Sequence, residues 1–194
     1  MTTTHIIIIF VLIPLMLALA YLAHTLWREF GRAPKITDFA ERVTQGQIRD
    51  ELFQNEMATP EQTGDFSARK LIGEMIWPSS QRRRPDAPIP HEKVDLNGLK
   101  TQAPSITWFG HSSYLLTIDG LTVLVDPVMS GHSSPLPFFI RSFDGTDIYR
   151  TEDLPEIDVL LITHDHYDHL DFETVVRLKN KVKRVITPLG VGTH

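Results

Sequence analysis

The stretch IDVLLITHDHYDHLD, Ile157 to Asp171, decides how this chain folds. Its first half is an uninterrupted apolar run of the kind that makes a strand buried on both faces of a sheet. Its second half releases His164, His166, Asp168 and His169 into the loop directly after that strand. Imidazole nitrogens and carboxylate oxygens are the usual donors for zinc, so one strand end gathers a metal-ligand set. His164 and His166, two apart at a strand end, can point the same way toward one metal. Asp168 and His169, on the turn that follows, can reach a second, the arrangement that clamps a bridging water. Asp171 suits the N-cap of a short helix carrying Val175, Val176 and Leu178, and KRVITPL (Lys183 to Leu189) supplies a further strand. Strand, loop, helix, strand is a βαβ-like unit, and in such units ligands bind at the C-terminal end of the strand.

Upstream, SITWF (Ser105 to Phe109), SYLLTI (Ser113 to Ile118) and LTVLVD (Leu121 to Asp126) are short β-rich runs, and Asp119-Gly120 separates the last two. They read as a hairpin meander. Asp126, at the end of a core strand, has two readings: an acceptor that orients a ligand imidazole, or a cap on the turn before Pro127. His111 follows Gly110 on a turn and can sit near the floor of the site; with no metal-ligating neighbour at close spacing, a structural role is the expectation. Ser112 and Ser113 lack the strand-to-helix turn that activates a nucleophile.

The segment before the meander is of another kind. DFAERV and QIRDELF have helix-type spacing, and SARKLIGEMIW sets Leu71, Ile72, Met75 and Ile76 on one apolar face, so residues 28–77 read as a helical extension. PSSQRRRPDAPIP, Pro78 to Pro90, holds four prolines and the run Arg82-Arg83-Arg84, which makes residues 78–104 a connector. Residues 1–27 form a hydrophobic anchor or signal segment. From Ile6 to Ala23 no side chain is charged or strongly polar, and 18 helical residues span roughly 27 Å, close to a bilayer's hydrocarbon core. Tyr21 and Trp27 suit an interfacial belt, and Arg28, Arg32 and Lys35 follow. No Lys or Arg precedes Ile6, which favours a single-pass membrane anchor over a secretory signal peptide cleaved near Ala18, Ala20 or Ala23.

Composition narrows the functions. A formal net charge of -5 and a pI near 6.0 argue against a nucleic-acid partner. With 0 Cys there are no disulfides, no thiolate ligands and no cysteine nucleophile. No P-loop, dinucleotide-binding glycine motif or nucleophile elbow is present.

THDHYDH behind an apolar strand resembles the metal-binding signature of metallo-β-lactamase-fold hydrolases. Narrower matches are Trp108-Phe109-Gly110-His111-Ser112-Ser113, Asp126-Pro127-Val128 with Ser133, Ser134 and Pro135, Glu152-Asp153-Leu154-Pro155, and Pro188-Leu189-Gly190. They are similar to the branch containing the N-acylphosphatidylethanolamine-hydrolysing phospholipase D and the bacterial RomA-like proteins, over about Trp77 to His194. The resemblance implies an α/β fold, with residues 105–194 forming the first half of an αββα sandwich. It implies two zinc ions, one held by His164 and His166 and one by Asp168 and His169, with Asp168 also the catalytic carboxylate.

The implied reaction is hydrolysis of a phosphodiester, a phospholipid above all, at a membrane. A lactonase or sugar-phosphate hydrolase of the same fold is the alternative. In the family a further His for each metal and a bridging Asp lie well downstream of the motif. The chain is therefore expected to be the N-terminal part of a larger hydrolase, completed by a chain carrying the other half or by self-association, or else an inactive metal-binding membrane fragment.

Overall fold

The computed structural model describes residues 8–38, 40–42, 48–49, 52–53, 55, 57, 67–77, 84–99, 104–138 and 140–194. Helix α1 (Ile13–Phe30), entered through a wide turn over Ile8–Leu12, is apolar on every side as far as Ala23 and carries Arg28 and Glu29 in its last turn. Ile9–Phe30 is 22 residues with a mean hydropathy of 2.2, long and apolar enough to cross a membrane. Pro14 lies in its first turn, where the missing N–H costs nothing, and Gly31, with φ +59°, ends it.

The extension that follows departs from its helical pattern. Residues 36–38 and 40–42 form single 3-10 turns. Within QIRDELF the described residues are extended rather than helical: β1 (Ile48–Arg49) and β2 (Leu52–Phe53) pair antiparallel, Ile48 opposite Phe53 and Arg49 opposite Leu52. Seven residues cannot repay helix nucleation without a face to bury, and Phe53 is 52% exposed. The SARKLIGEMIW pattern does give a helix, α2 (Ala68–Ile76), capped by Ser67, whose hydroxyl accepts from the Lys70 amide. The pair Arg82-Arg83 lies outside the described residues.

The body of the protein is one five-stranded sheet with neighbours in chain order: β3 (Ser105–Gly110), β4 (Ser113–Ile118), β5 (Leu121–Val125), β6 (Val159–Leu161) and β7 (Val185–Ile186). The first three are antiparallel, joined at Asp119-Gly120 by a tight turn in which both residues have positive φ, as a two-residue hairpin requires. β5, β6 and β7 are parallel, and α3 (Phe172–Leu178) is the crossover between the last two. Leu115, Leu124, Leu160, Ile162 and Leu178 form the core with Leu96, Tyr149, Leu154 and Ile157. Burial of each such side chain contributes about 1.5–3 kcal/mol. Val176, which the helical pattern placed with Val175 and Leu178, is 55% exposed, because its side chain falls outside the narrow stripe of α3 that meets the sheet.

Candidate metal centre

Strand register converges three loops on one edge. Tyr114 opposite Val125 sets the β3–β4 turn, with His111, beside Asp126; Val125 beside Leu161 sets Asp126 next to the start of the histidine loop. The site thus lies at the C-terminal ends of β5 and β6, where an open α/β sheet binds its ligands. His111 and Asp126 both have positive φ, +46° and +41°, a conformation non-glycine residues hold only when their surroundings impose it. Around Asp126 those surroundings are specific. Its amide donates to the Leu161 carbonyl at 3.0 Å, and its carbonyl accepts from the Ser113 hydroxyl at 2.6 Å.

The Asp126 carboxylate, 1% exposed, is fully used. One oxygen accepts from the Thr163 amide at 2.7 Å; the other accepts from the Thr163 hydroxyl at 2.6 Å and from His169 Nδ1 at 2.8 Å. These contacts assign the Nδ1 protons. A carboxylate only accepts, so His169 carries a proton on Nδ1, and in the neutral ring the lone pair is then on Nε2. The Thr163 hydroxyl spends its proton on Asp126 and can accept from His164 Nδ1, 3.0 Å away, which in the neutral ring puts the His164 lone pair on Nε2 as well. Ligand imidazoles are held in just this way by a carboxylate or hydroxyl on the far nitrogen.

His169 Nε2 faces Asp168 Oδ2 at 3.9 Å, and His111 Nε2 lies 3.1 Å from the same oxygen. One donor atom from each of His111, Asp168 and His169 lies within 4.8 Å of the others. Beside this trio the His164 ring sits 3.9 Å from the His169 ring and 4.6 Å from that of His166, centroid to centroid. His164 and His166 therefore adjoin each other but are not in the three-donor set. The loop closes on itself through the His166 carbonyl, which accepts from the amides of His169 and Leu170. The donors are of the type that a borderline divalent metal needs, so the residues fit such an ion.

Sequence spacing placed His111 in a structural role; strand pairing sets it against Asp168. Thr163, given no role by its place in THDHYDH, links Asp126 to both His164 and His169; a hydroxyl residue directly before the first His was its only signal. Next to the trio opens a cavity of about 450 Å³, lined by Trp108, Phe109, Ile140 and Phe143 together with His111 and Asp168.

Asp126→Asn tests the proton assignment. An amide NH2 would replace one acceptor oxygen, so that it faces either two donors, the Thr163 hydroxyl and His169 Nδ1–H, or the Thr163 amide. In the first orientation His169 is expected to move its proton to Nε2, the atom needed for a ligand; in the second the Thr163 amide loses the acceptor that holds the start of the histidine loop. Metal affinity should fall about 10–100-fold, measured by competition with a chromophoric chelator, while the sheet survives. Unchanged affinity would refute the assignment.

Comparisons with known proteins agree with this region. Residues 105–191 match the model of the beta-lactamase superfamily domain. An uncharacterized protein of Mycobacterium bovis is 39% identical over 127 residues, 65% of this chain and 34% of that protein. The N-acyl-phosphatidylethanolamine-hydrolyzing phospholipase D 1 of Caenorhabditis elegans is 30% identical over 166 residues, 79% of this chain and 45% of the enzyme. A metal-dependent hydrolase of Anaeromyxobacter is 33% identical over 89 residues, 45% of this chain and 28% of that protein. The chain thus spans less than half the length of these relatives. The region resembles the metal-dependent hydrolases of the beta-lactamase superfamily, and its sheet with α3 is consistent with part of a metallo-β-lactamase fold.

Proposed function

We propose that this chain carries part of a metal-dependent hydrolase, anchored to a membrane through α1, that cleaves a phosphodiester bond of a lipid. The carrying observation is the proton-assigned His169 Nε2 facing Asp168 and His111 at the mouth of an apolar cavity. The similarity to a phospholipase D of N-acyl-phosphatidylethanolamine supports the substrate class. The length and hydropathy of Ile9–Phe30 support the location, since a lipid substrate lies in the plane of the anchor.

His164 and His166 would hold one ion, and Asp168 and His169 a second, with His111 in reach of the latter; zinc suits these donors. When bound, the metals supply Lewis acidity and lower the pKa of a coordinated water. Asp126 holds the Nδ1 proton of His169 and Thr163 that of His164, so both rings remain ligands and neither drifts to the other tautomer. Asp168 places a carboxylate where a proton leaving water can be accepted. Trp108, Ile140 and Phe143 offer an apolar wall for acyl chains.

The test is metal content of the purified full chain by mass spectrometry, with hydrolysis of N-acylphosphatidylethanolamine in vesicles before and after chelation. Bound metal and chelator-sensitive phosphatidate release are expected. Lactone opening without turnover of any phospholipid would replace the substrate class, and a chain that holds no metal would reject the hydrolase reading for this product.

A further inference from the structure

Glu29 is the first acidic residue of the chain and comes at the end of its most apolar helix, yet its side chain is 6% exposed. A carboxylate left there needs a partner. Arg28 lies 4.0 Å from Oε1, and the Tyr167 hydroxyl donates to Glu29 Oε2 at 2.5 Å. Tyr167 stands between His166 and Asp168, its ring stacked on the buried His132.

Two further contacts join the same helix end to the same loop. The Arg28 guanidinium lies 5.0 Å over the ring of Phe172, the first residue of α3. The Phe30 carbonyl, unsatisfied within α1, accepts from His194 Nδ1 at 2.7 Å, and His194 Nε2 is 3.4 Å from Asp165. Asp165, Tyr167 and Phe172 are interleaved with, or directly follow, the donors of the histidine loop.

We propose that the last turn of α1 clamps the histidine loop, with Glu29 as a positioning residue that acts through Tyr167. The inference rests on the metal-site reading above. If α1 spans the membrane, the clamp keeps the loop at the membrane surface, beside the substrate's headgroups.

Two measurements on the full chain in detergent test this. The chain has 0 Cys, so Arg28→Cys with Phe172→Cys gives a unique pair, and a short bis-maleimide should bridge it within one chain. The pair Arg28→Cys with Asp119→Cys, at the hairpin tip, should not bridge. Separately, zinc affinity by chelator competition and the visible spectrum of the cobalt-loaded protein are compared across variants. Glu29→Leu and Tyr167→Phe should weaken binding about ten-fold and shift the cobalt bands. Glu29→Gln, which keeps an acceptor, should restore both. No cross-link with metal still bound overturns the clamp alone; wild-type affinity and spectrum in Glu29→Leu overturn its positioning role. A cross-linked chain that binds no metal removes the metal-site reading and the positioning role with it.

Discussion

His169→Ala is expected to abolish stoichiometric metal binding, with a loss of affinity beyond the roughly 10–100-fold that follows removal of an outer partner. His169 is the hinge of the cluster. Its Nδ1 rests on Asp126 at 2.8 Å and its Nε2 faces Asp168, while its ring packs against those of His164 and His111. Truncation deletes a donor and also empties the space that spaces the other imidazoles. Stability should change far less, because Asp126 keeps both Thr163 donors and no core side chain is touched. His111→Ala is the informative contrast. It removes a donor 3.1 Å from Asp168 but leaves the network of Asp126, Thr163, His164 and His169 intact, so its loss should be smaller. Metal content and chelator competition read both. If His169→Ala retains full occupancy, the metal is not held here; if His111→Ala costs more, His111 and not His169 is the principal donor.

The parts of this site that are local in sequence were legible there. An apolar run ending in HDHYDH specifies a buried strand and a donor-rich loop, since both follow from the pattern of a few consecutive residues. Asp119-Gly120 marks the hairpin for the same reason. What depends on register was not legible. His111 meets Asp168 only because Tyr114 pairs with Val125 and Val125 with Leu161, and nothing in the spacing of 57 positions between them records that chain of pairings. Glu29 and Tyr167, 138 apart, are a harder case, because they join a helix to a loop with no strand ladder between. QIRDELF misled through period: apolar residues at helical spacing imply a helix only when there is a face to pack against, and here a two-residue ladder competes successfully.

Asp171→Ala should produce the largest loss of stability from a single substitution near the site. Asp171 is fully buried and its carboxylate serves two elements at once. Toward α3 it is the N-cap, accepting from the amides of Glu173 and Thr174 and from the Thr174 hydroxyl. Toward the loop after β5 it accepts from the amides of Met129 at 3.1 Å and Ser130 at 3.0 Å. Loss of the cap costs about 1 kcal/mol. The Ser130 amide loses its partner at about 1–3 kcal/mol, whereas Met129 retains the Thr174 hydroxyl at 2.9 Å. The sum, roughly 3 kcal/mol, is a large share of the 5–15 kcal/mol that holds a typical domain together. In thermal unfolding it should appear as a midpoint lower by about 10 °C. Asp171→Ser separates the two roles, since a serine can cap α3 but is too short to serve the loop as well; it should recover the cap's share and no more. The same loop begins at Asp126-Pro127, so its loosening should also reach the carboxylate that orients His169. Metal affinity is therefore expected to fall in Asp171→Ala but to be largely kept in a variant altered only on the exposed face of α3, such as Arg177→Ala. A stability loss below about 1 kcal/mol in Asp171→Ala would mean that solvent replaces these contacts and that the loop and α3 are held together by other means.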